Sequence, residues 1–294
     1  MAYLYKIIRN GNDFSASADG GPSFFVGRRV PYEGNIGLYN IFAGSRLPKL
    51  DYKAHDFTGA FGFWAEFVEP TAICEGRNFL TLNSYDRAAF TFGFGQFAAH
   101  VEEGDFVQYL RKLLTLADAV DYFPHLSIKN GHVHALDGLG RSTELENPQT
   151  TKPLMSYLNP TLAEVEDAEV IAATRFIHWT VQSQAAREVQ VSQMVATFKS
   201  FMKRAEKRVD MHNRPAAQCC VIADILHHGR GGKMTWPLIA EALRSTRPFE
   251  ALLKITPPWQ QRTEKLGRAI KANSAFVNRT WNSAKQDFEP TVTG

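Results

Sequence analysis

Two hydrophobic patterns divide the chain. In the first fifty residues, apolar and polar side chains alternate in short runs, most clearly from Tyr3 to Arg9 and from Phe24 to Val30. Turn signals at residues 10–13 and 19–22 separate these runs. Alternation bounded by such turns is typical of short strands. We therefore predict a small, irregular, β-containing N-terminal extension over residues 1–55.

Beyond residue 56, apolar residues recur mainly at the spacing of helices. Gly76 predicts the end of the first of these helices, because glycine readily takes a left-handed conformation, and Pro70 is suited to its first turn. The further predicted helices lie at 105–120, 161–208, 216–228, 236–245, 247–255 and from Thr256-Pro257 to about residue 278.

Two interruptions organise this helical part. An Asn130-Gly131 turn predicts a short hairpin over residues 126–136. Residues 141–159 hold two Asn-Pro pairs with several Ser and Thr residues and are predicted to be a linker. We therefore expect one mainly helical domain over 56–285, with lobes at 56–145 and 160–285.

Composition narrows the class of protein. A chain of 294 residues can bury a full core, and a formal charge of +3 is too small to indicate a nucleic-acid partner. No apolar run reaches membrane-spanning length, and the N-terminal residues alternate too much for a signal peptide. Three cysteines, two of them adjacent, do not make a disulfide framework. We expect buried thiols, synthesis in the cytoplasm and no stable membrane insertion.

The candidate chemistry begins at Glu75. This carboxylate ends a largely apolar run, a setting that disfavours the charged form and raises the pKa, as a general acid near neutral pH requires. A second carboxylate, Asp86, follows in a polar turn, which is a wetter setting. Each residue alone is more simply structural, since Glu75-Gly76 is a helix end and an isolated Asp86 is a turn residue. Their order and spacing favour a site.

A glycine-containing segment follows the second carboxylate. From Thr91 to Gln96, bulky side chains alternate with Gly93 and Gly95. This alternation predicts an extended strand with one face of bare backbone that a ligand can approach closely.

Together these residues resemble the catalytic segment of the phage-type muramidases, members of the lysozyme-like superfamily: Glu-Gly, a polar turn with Asp, then Thr-x-Gly-x-Gly. The resemblance implies Glu75 as proton donor, Asp86 as second carboxylate and Thr91 as the hydroxyl near the attacked carbon. About one extra residue lies between Glu75 and Thr91, and Gln96 stands where the family often has histidine. The predicted substrate-binding residues are Tyr85, Gly93, Gly95 and Gln96.

The resemblance also implies a fold class. The last third of the chain, from the helix at 216–228 to Trp281, resembles the helical lobe of the same muramidases. We therefore expect a lysozyme-like α+β fold, mainly helical, with a small catalytic β-hairpin and the short β-containing extension at its N-terminus.

The function implied is hydrolysis of the β-1,4 bond between N-acetylmuramic acid and N-acetylglucosamine in peptidoglycan, with no cofactor. The alternatives are a chitosanase, a chitinase, a lytic transglycosylase or a glycan-binding protein without turnover. Peptidoglycan strands are the expected partner. The chain would act in the periplasm or cell wall after release as an endolysin or injection as an antibacterial effector, the latter with an immunity protein or a secretion component as partner.

No metal or nucleic-acid site is predicted. His132 and His134 lie on one face of the second hairpin strand, at a spacing that metal binding allows. No third ligand is obvious nearby, so we interpret them as a surface pair. The basic residues are dispersed, and no nucleic-acid recognition motif appears.

Overall fold

The computed structural model describes residues 1–42, 44–255 and 259–291. They form two compact units. The sheet unit consists of residues 1–51 and 78–193, and the helical unit consists of residues 52–77 and those from 194 onwards. These boundaries differ from the predicted ones at 1–55 and 56–285, because residues 52–77 belong with the C-terminal third.

The strands are β1 (Tyr5–Asn10), β2 (Asp13–Ala18), β3 (Phe24–Tyr32), β4 (Asn35–Tyr39), β5 (Leu82–Asn83), β6 (Thr91–Phe92), β7 (Phe97–Ala98), β8 (Leu126–Lys129), β9 (His132–Leu136), β10 (Ser142–Glu144), β11 (Arg279–Asn282) and β12 (Asp287–Pro290). The helices are α1 (Thr58–Phe61), α2 (Phe63–Cys74), α3 (Asp105–Leu113), α4 (Ala119–Tyr122), α5 (Lys152–Leu158), α6 (Asp167–Gln182), α7 (Gln184–Glu206), α8 (Ala216–His228), α9 (Thr235–Arg244), α10 (Pro248–Leu253) and α11 (Gln260–Ala272).

A seven-stranded antiparallel sheet, ordered β1 to β7 along the chain, dominates the sheet unit. The prediction of a lysozyme-like, mainly helical fold was therefore wrong. The supposed extension and the supposed catalytic hairpin are parts of one sheet, joined where Tyr39 of β4 pairs with Asn83 of β5. Strands β2, β3 and β4 bury apolar side chains, whereas no residue of β1 is buried. The buried apolar side chains are Phe14, Ala16, Phe25, Val26 and Leu38.

Aromatic side chains form the core of the sheet unit, and Phe176 of α6 lies among them. Its ring centroid is 4.9 Å from that of Phe123, 5.2 Å from Phe92, 5.5 Å from Phe90 and 5.8 Å from Phe106. All five side chains are buried. Tilted and edge-to-face ring pairs at these distances add to the free energy that burial supplies.

The helical unit packs α2, α8 and α11 around a second aromatic cluster. Phe67 of α2 lies 4.6 Å from Phe288 and 6.2 Å from Phe198, measured between ring centroids. Cys219 and Cys220 on α8 are fully buried free thiols, as predicted. Helix α8 ends at Gly229, which has a left-handed φ of +70°.

Several local predictions need correction. Pro70 lies inside α2 instead of opening it, since the helix begins after Gly62. The supposed linker at 141–159 contains β10 and α5, and the long helix predicted over 161–208 is broken at Ser183, whose ψ is 116°. Thr256 and Pro257, the predicted start of the last helix, lie outside the described residues.

Two further observations complete the fold. The predicted hairpin is confirmed as β8 and β9, with left-handed φ angles of 53° at Asn130 and 82° at Gly131. Among the described residues, no helix combines the length and the apolar character that crossing a bilayer requires.

We expect Phe176→Ala to lower the free energy of unfolding by about 3–5 kcal/mol, because it leaves a cavity among four other rings. Urea denaturation followed by circular dichroism measures this. Leu139→Ala is the control, since Leu139 is 80% exposed and should change stability little. Equal midpoints for the two variants would contradict this account of the core.

Candidate functional site

Glu75 lies at the end of α2. Its backbone N–H donates to Thr71 O at 3.0 Å, and Gly76 then turns the chain with a φ of +93°. Arg77 N donates back to Ala72 O at 2.8 Å, which closes the end of the helix. The prediction that Gly76 ends this helix is therefore confirmed.

The Glu75 carboxylate is held through one oxygen. Oε1 lies 2.7 Å from Arg262 Nη2 and 3.5 Å from His227 Nε2. No hydrogen bond to Oε2 is found among the described residues, and the side chain is 17% exposed. Glu75 is therefore a fixed carboxylate with one oxygen left for another partner.

The expected rise in the pKa of Glu75 was wrong. Burial does raise it, but hydrogen bonding to His227 and the positive charge of Arg262 outweigh burial, so the pKa lies below its usual range. The sequence around Glu75 shows only the apolar run. The two partners, His227 and Arg262, come from α8 and α11, far along the chain.

Asp224 on α8 anchors Arg262. Its Oδ1 lies 2.9 Å from Arg262 Nη2 and accepts a hydrogen bond from Thr71 Oγ1 at 2.9 Å, while Oδ2 pairs with Arg230 Nη1. Burial tends to raise the pKa of Asp224, but Arg262 and Arg230 lower it to about 2. The side chains of Asp224 and Arg230 are fully buried, so each charge depends on the other.

In the sheet unit, the loop of residues 84–89 carries Asp86. Asp86 Oδ1 accepts from its neighbour Ala88 N at 2.9 Å, which is the geometry of a turn-forming aspartate. Asn159 ties both ends of the loop down, because its Nδ2 donates to Ser84 O at 2.9 Å and to Ala89 O at 3.0 Å. The loop is therefore fixed at its base.

Glu169 on α6 holds the same loop from inside. Its Oε1 accepts from Leu38 N at 3.1 Å and from Ser84 Oγ in a short hydrogen bond. The residue is fully buried, and burial raises its pKa to about 7. Sequence reasoning missed Glu169, because an acid in the first turn of a helix is ordinarily exposed and complements the helix dipole.

The glycine segment differs from the prediction. Strand β6 stops at Phe92, and residues 93–96 turn into β7 instead of extending the strand. Gly93 is buried with a φ of +89°, and a Cβ there would stand 2.5 Å from Gln190 Oε1. Gly95 is also buried. These glycines serve a tight turn packed against α7, and their backbone is not an open face.

The other predicted residues of this segment have mixed environments. Thr91 on β6 is only 4% exposed. Gln96 is half-buried, and its Oε1 accepts from Asn83 Nδ2 at 3.2 Å. Glu75 belongs to the helical unit, whereas Asp86, Thr91 and Gln96 belong to the sheet unit.

Tyr85 belongs to a group of tyrosines beside the loop. Its ring centroid lies 5.1 Å from that of Tyr32 and 6.0 Å from that of Tyr39. Burial, together with Tyr39 and Asp86, raises the pKa of Tyr85 to about 12. Next to this group is a cavity of about 320 Å³, which we name the tyrosine pocket, lined by Tyr32, Glu33, Asn35, Asp86 and Arg87.

A polar cluster around Arg111 has the residue types of a metal site. Glu103, His132 and Glu146 place ligand atoms within 4.8 Å of one another. Arg111 Nη2 lies 2.6 Å from Glu103 Oε1 and 3.0 Å from His132 Nδ1, and it also pairs with Glu146. The guanidinium already forms ion pairs with both carboxylates, so this is an ion-pair cluster. His134 is only 8% exposed, so the interpretation of a surface histidine pair was wrong.

Comparison with known proteins finds no matching family model, no similar curated protein and no similar solved structure. The function must therefore be inferred from the residues and contacts of this chain.

We expect Asp224→Asn to destabilise the protein by about 3–5 kcal/mol, because it leaves two buried guanidinium groups without their shared counter-charge. Urea denaturation near neutral pH measures the loss. The control is Asp137→Asn, which breaks the exposed pair with Arg141 and should have little effect. If Asp224→Asn were as stable as the wild type, the ion pairs would not hold this region together.

Glu169 should make stability depend on pH. Because its pKa is raised from 4.5 to about 7, its contribution is fully present below about pH 4.5 and is lost as pH rises towards 7, a change of about 3 kcal/mol. We expect Glu169→Gln to flatten this slope in unfolding curves taken across that window. Glu166→Gln, an exposed change at the start of the same helix, should keep it. An unchanged slope in Glu169→Gln would assign the titration to another group.

Proposed function

We propose that this chain is a peptidoglycan hydrolase of the muramidase type, with Glu75 as the reacting carboxylate. The proposal rests on the fixed position of the Glu75 carboxylate. Arg262 Nη2 lies 2.7 Å from Glu75 Oε1, and Asp224 in turn fixes Arg262. A carboxylate held in this way, with its second oxygen available, is what acid or base chemistry at a glycosidic bond requires.

This mechanism requires Glu75 to carry a proton when the glycosidic bond breaks. In the free protein, Glu75 is ionised at neutral pH, since its pKa is lowered. A sugar ring covering the exposed part of the side chain would remove water and favour the neutral form. Glu75 would then take up a proton and donate it to the glycosidic oxygen as the bond breaks.

The roles of Asp86 and Thr91 remain proposals that rest on the resemblance. Asp86 would stabilise the oxocarbenium-like transition state or, with Thr91, activate water. The hydrogen bond from Ala88 N leaves Asp86 Oδ2 available, which is compatible with such a role. The near-complete burial of Thr91 does not support direct contact with substrate.

A glycan-binding protein without turnover is the second candidate. The charge pair between Glu75 and Arg262 favours it, because a strongly ion-paired carboxylate can be purely structural. A lytic transglycosylase differs in needing no second carboxylate, so Asp86→Ala would remain fully active and release anhydro-muramyl products.

Glu75→Gln tests the proposal. Positioned acid catalysis supplies roughly 10²- to 10⁴-fold, so this variant should lose nearly all release of reducing ends from purified sacculi. Mass spectrometry of the new chain ends identifies the bond cut. Glu241→Gln, an exposed change in the same unit, should retain wild-type release. Circular dichroism must show that the Glu75 variant is folded, because the change also removes a charge partner of Arg262.

Three results decide between the candidates. Release at the wild-type rate by folded Glu75→Gln would remove Glu75 from the chemistry. Binding of the wild-type protein to sacculi without any release would select the glycan-binding function. Loss of release in Glu75→Gln alone supports the muramidase.

A further inference from the structure

We propose that one side of α7 is a docking surface for the phosphodiester backbone of a nucleic acid, bound without sequence preference. We name this surface the α7 basic face. It consists of five exposed cationic side chains: Lys199, Lys203, Arg204, Lys207 and Arg208. The inference is independent of the proposed function, because none of these side chains takes part in the chemistry proposed at the glycosidic bond.

The second half of α7 has a buried apolar side and an exposed basic side. Phe198 and Met202 are fully buried. The helix ends at Glu206, and a hydrogen bond from Arg208 N to Ala205 O continues the turn beyond it. At the helical rise, the basic face extends by roughly 13 Å, a length over which one strand of duplex DNA presents about four phosphates.

Acidic side chains are absent from this face. No Asp or Glu lies between Glu188 and Glu206. Glu206 turns inward, since its Oε1 accepts a hydrogen bond from the buried Trp281 Nε1 at 3.0 Å. In the part of the chain that the structure describes, no side chain of the α7 basic face forms a hydrogen bond or an ion pair. Its charges therefore stand ready for an anionic partner.

Aromatic rings hold two of the cations in place. Lys199 Nζ lies 5.2 Å from the centroid of the Trp64 ring, and Arg204 Cζ lies 5.7 Å from that of the Phe201 ring. The negative face of an aromatic ring attracts a cation, which restricts the long side chain before a phosphate arrives. Binding therefore costs less side-chain ordering at these two positions.

The small formal charge of the protein hides the segregation of charge. The chain has 33 Lys and Arg residues against 30 Asp and Glu residues, and residues 199–208 contain five of the former and one of the latter. The rest of the chain therefore has one more acidic than basic residue. The proposal thus departs from the expectation, based on the charge of the whole chain, that nucleic acid is not a partner.

The helix dipole explains only part of this arrangement. Cations in the last turn of a helix are stabilised by its unpaired carbonyl groups, which accounts for Lys203 and Arg204. Lys199 lies almost two turns before the end of α7, and the dipole effect falls off within one turn. A helix end alone therefore does not require a basic face of this length.

The residue types favour nucleic acid over a membrane or a protein partner. None of the exposed large apolar side chains of the described residues lies on the α7 basic face. A helix that binds in the plane of a bilayer needs an apolar side to insert, and the centres of protein interfaces are depleted in lysine. A row of cations without exposed apolar neighbours is the pattern that neutralises successive phosphates.

Fluorescence anisotropy of a labelled DNA duplex, titrated with the full chain, tests the proposal. We expect the logarithm of the binding constant to fall with the logarithm of the NaCl concentration with a slope of about −3 to −4, because binding releases counterions from about four phosphates. A second duplex of unrelated sequence should bind equally, since phosphate contacts carry no sequence information. No binding at low salt, or a preference above about tenfold for one duplex, would overturn the proposal.

Matched variants locate the surface. Replacing Lys203 and Lys207 together by Gln should reduce the slope by about 2 and weaken binding about tenfold or more at low salt. Lys203→Arg should bind like the wild type. The control replaces Lys129 and Arg244 by Gln, which removes two exposed cations elsewhere and should keep the slope. All four positions are exposed, so thermal unfolding should change little. Equal losses in the two double variants would overturn the assignment to α7.

Anionic vesicles separate the membrane alternative. Vesicles of phosphatidylglycerol and phosphatidylcholine should bind the wild-type protein more weakly than DNA does at the same salt concentration, because the α7 basic face has no apolar side chain to insert. Binding to the vesicles without binding to DNA would overturn the proposal in favour of a lipid surface.

Discussion

A buried aspartate between two arginines is the constraint on which the candidate chemistry depends. Asp224 fixes Arg230 and Arg262, and Arg262 in turn fixes Glu75 at the end of α2. Each charged side chain in this network is balanced by the next one. Replacing any one of them leaves its neighbour with a buried charge that no counter-charge compensates. The position and the ionisation of Glu75 are therefore consequences of contacts made on α8 and α11.

The sheet unit also buries a carboxyl group, that of Glu169, but with neutral hydrogen-bond donors as its partners. Glu169 is buried with a backbone N–H and a hydroxyl as partners, and no residue in the described part of the chain forms an ion pair with it. Burial therefore raises its pKa, whereas Glu75 and Asp224 have lowered pKa values. The difference lies in the partner: guanidinium groups favour the charged form of an acid, while burial with neutral donors leaves the neutral form favoured. Glu75 and Asp224 are thus held ionised, whereas Glu169 titrates near neutral pH.

The contrast between ionised and neutral carboxyl groups bears on the proposed function. A glycosidase needs one neutral and one ionised carboxyl at the bond that it breaks. Glu75, the acid of the proposed mechanism, has a lowered pKa in the free protein, so the proposal needs substrate to exclude water and favour the neutral form. The two proposed functions, muramidase and glycan-binding protein, therefore differ in what Glu75 does.

Local signals in the sequence determined several features. Gly76 ends α2 because a left-handed residue is needed there, Asn130-Gly131 turns a hairpin because both residues accept positive φ, and the three cysteines are free. Tertiary structure alone decided the rest. Short strands near Leu82 and Thr91 have too few residues to reveal a sheet, and only the pairing of β5 with β4 made the N-terminal segment part of a seven-stranded sheet. The ionisation of Glu75 was decided by Arg262 and His227, because a pKa depends on which charges lie nearby in space, and neighbours in sequence do not reveal them.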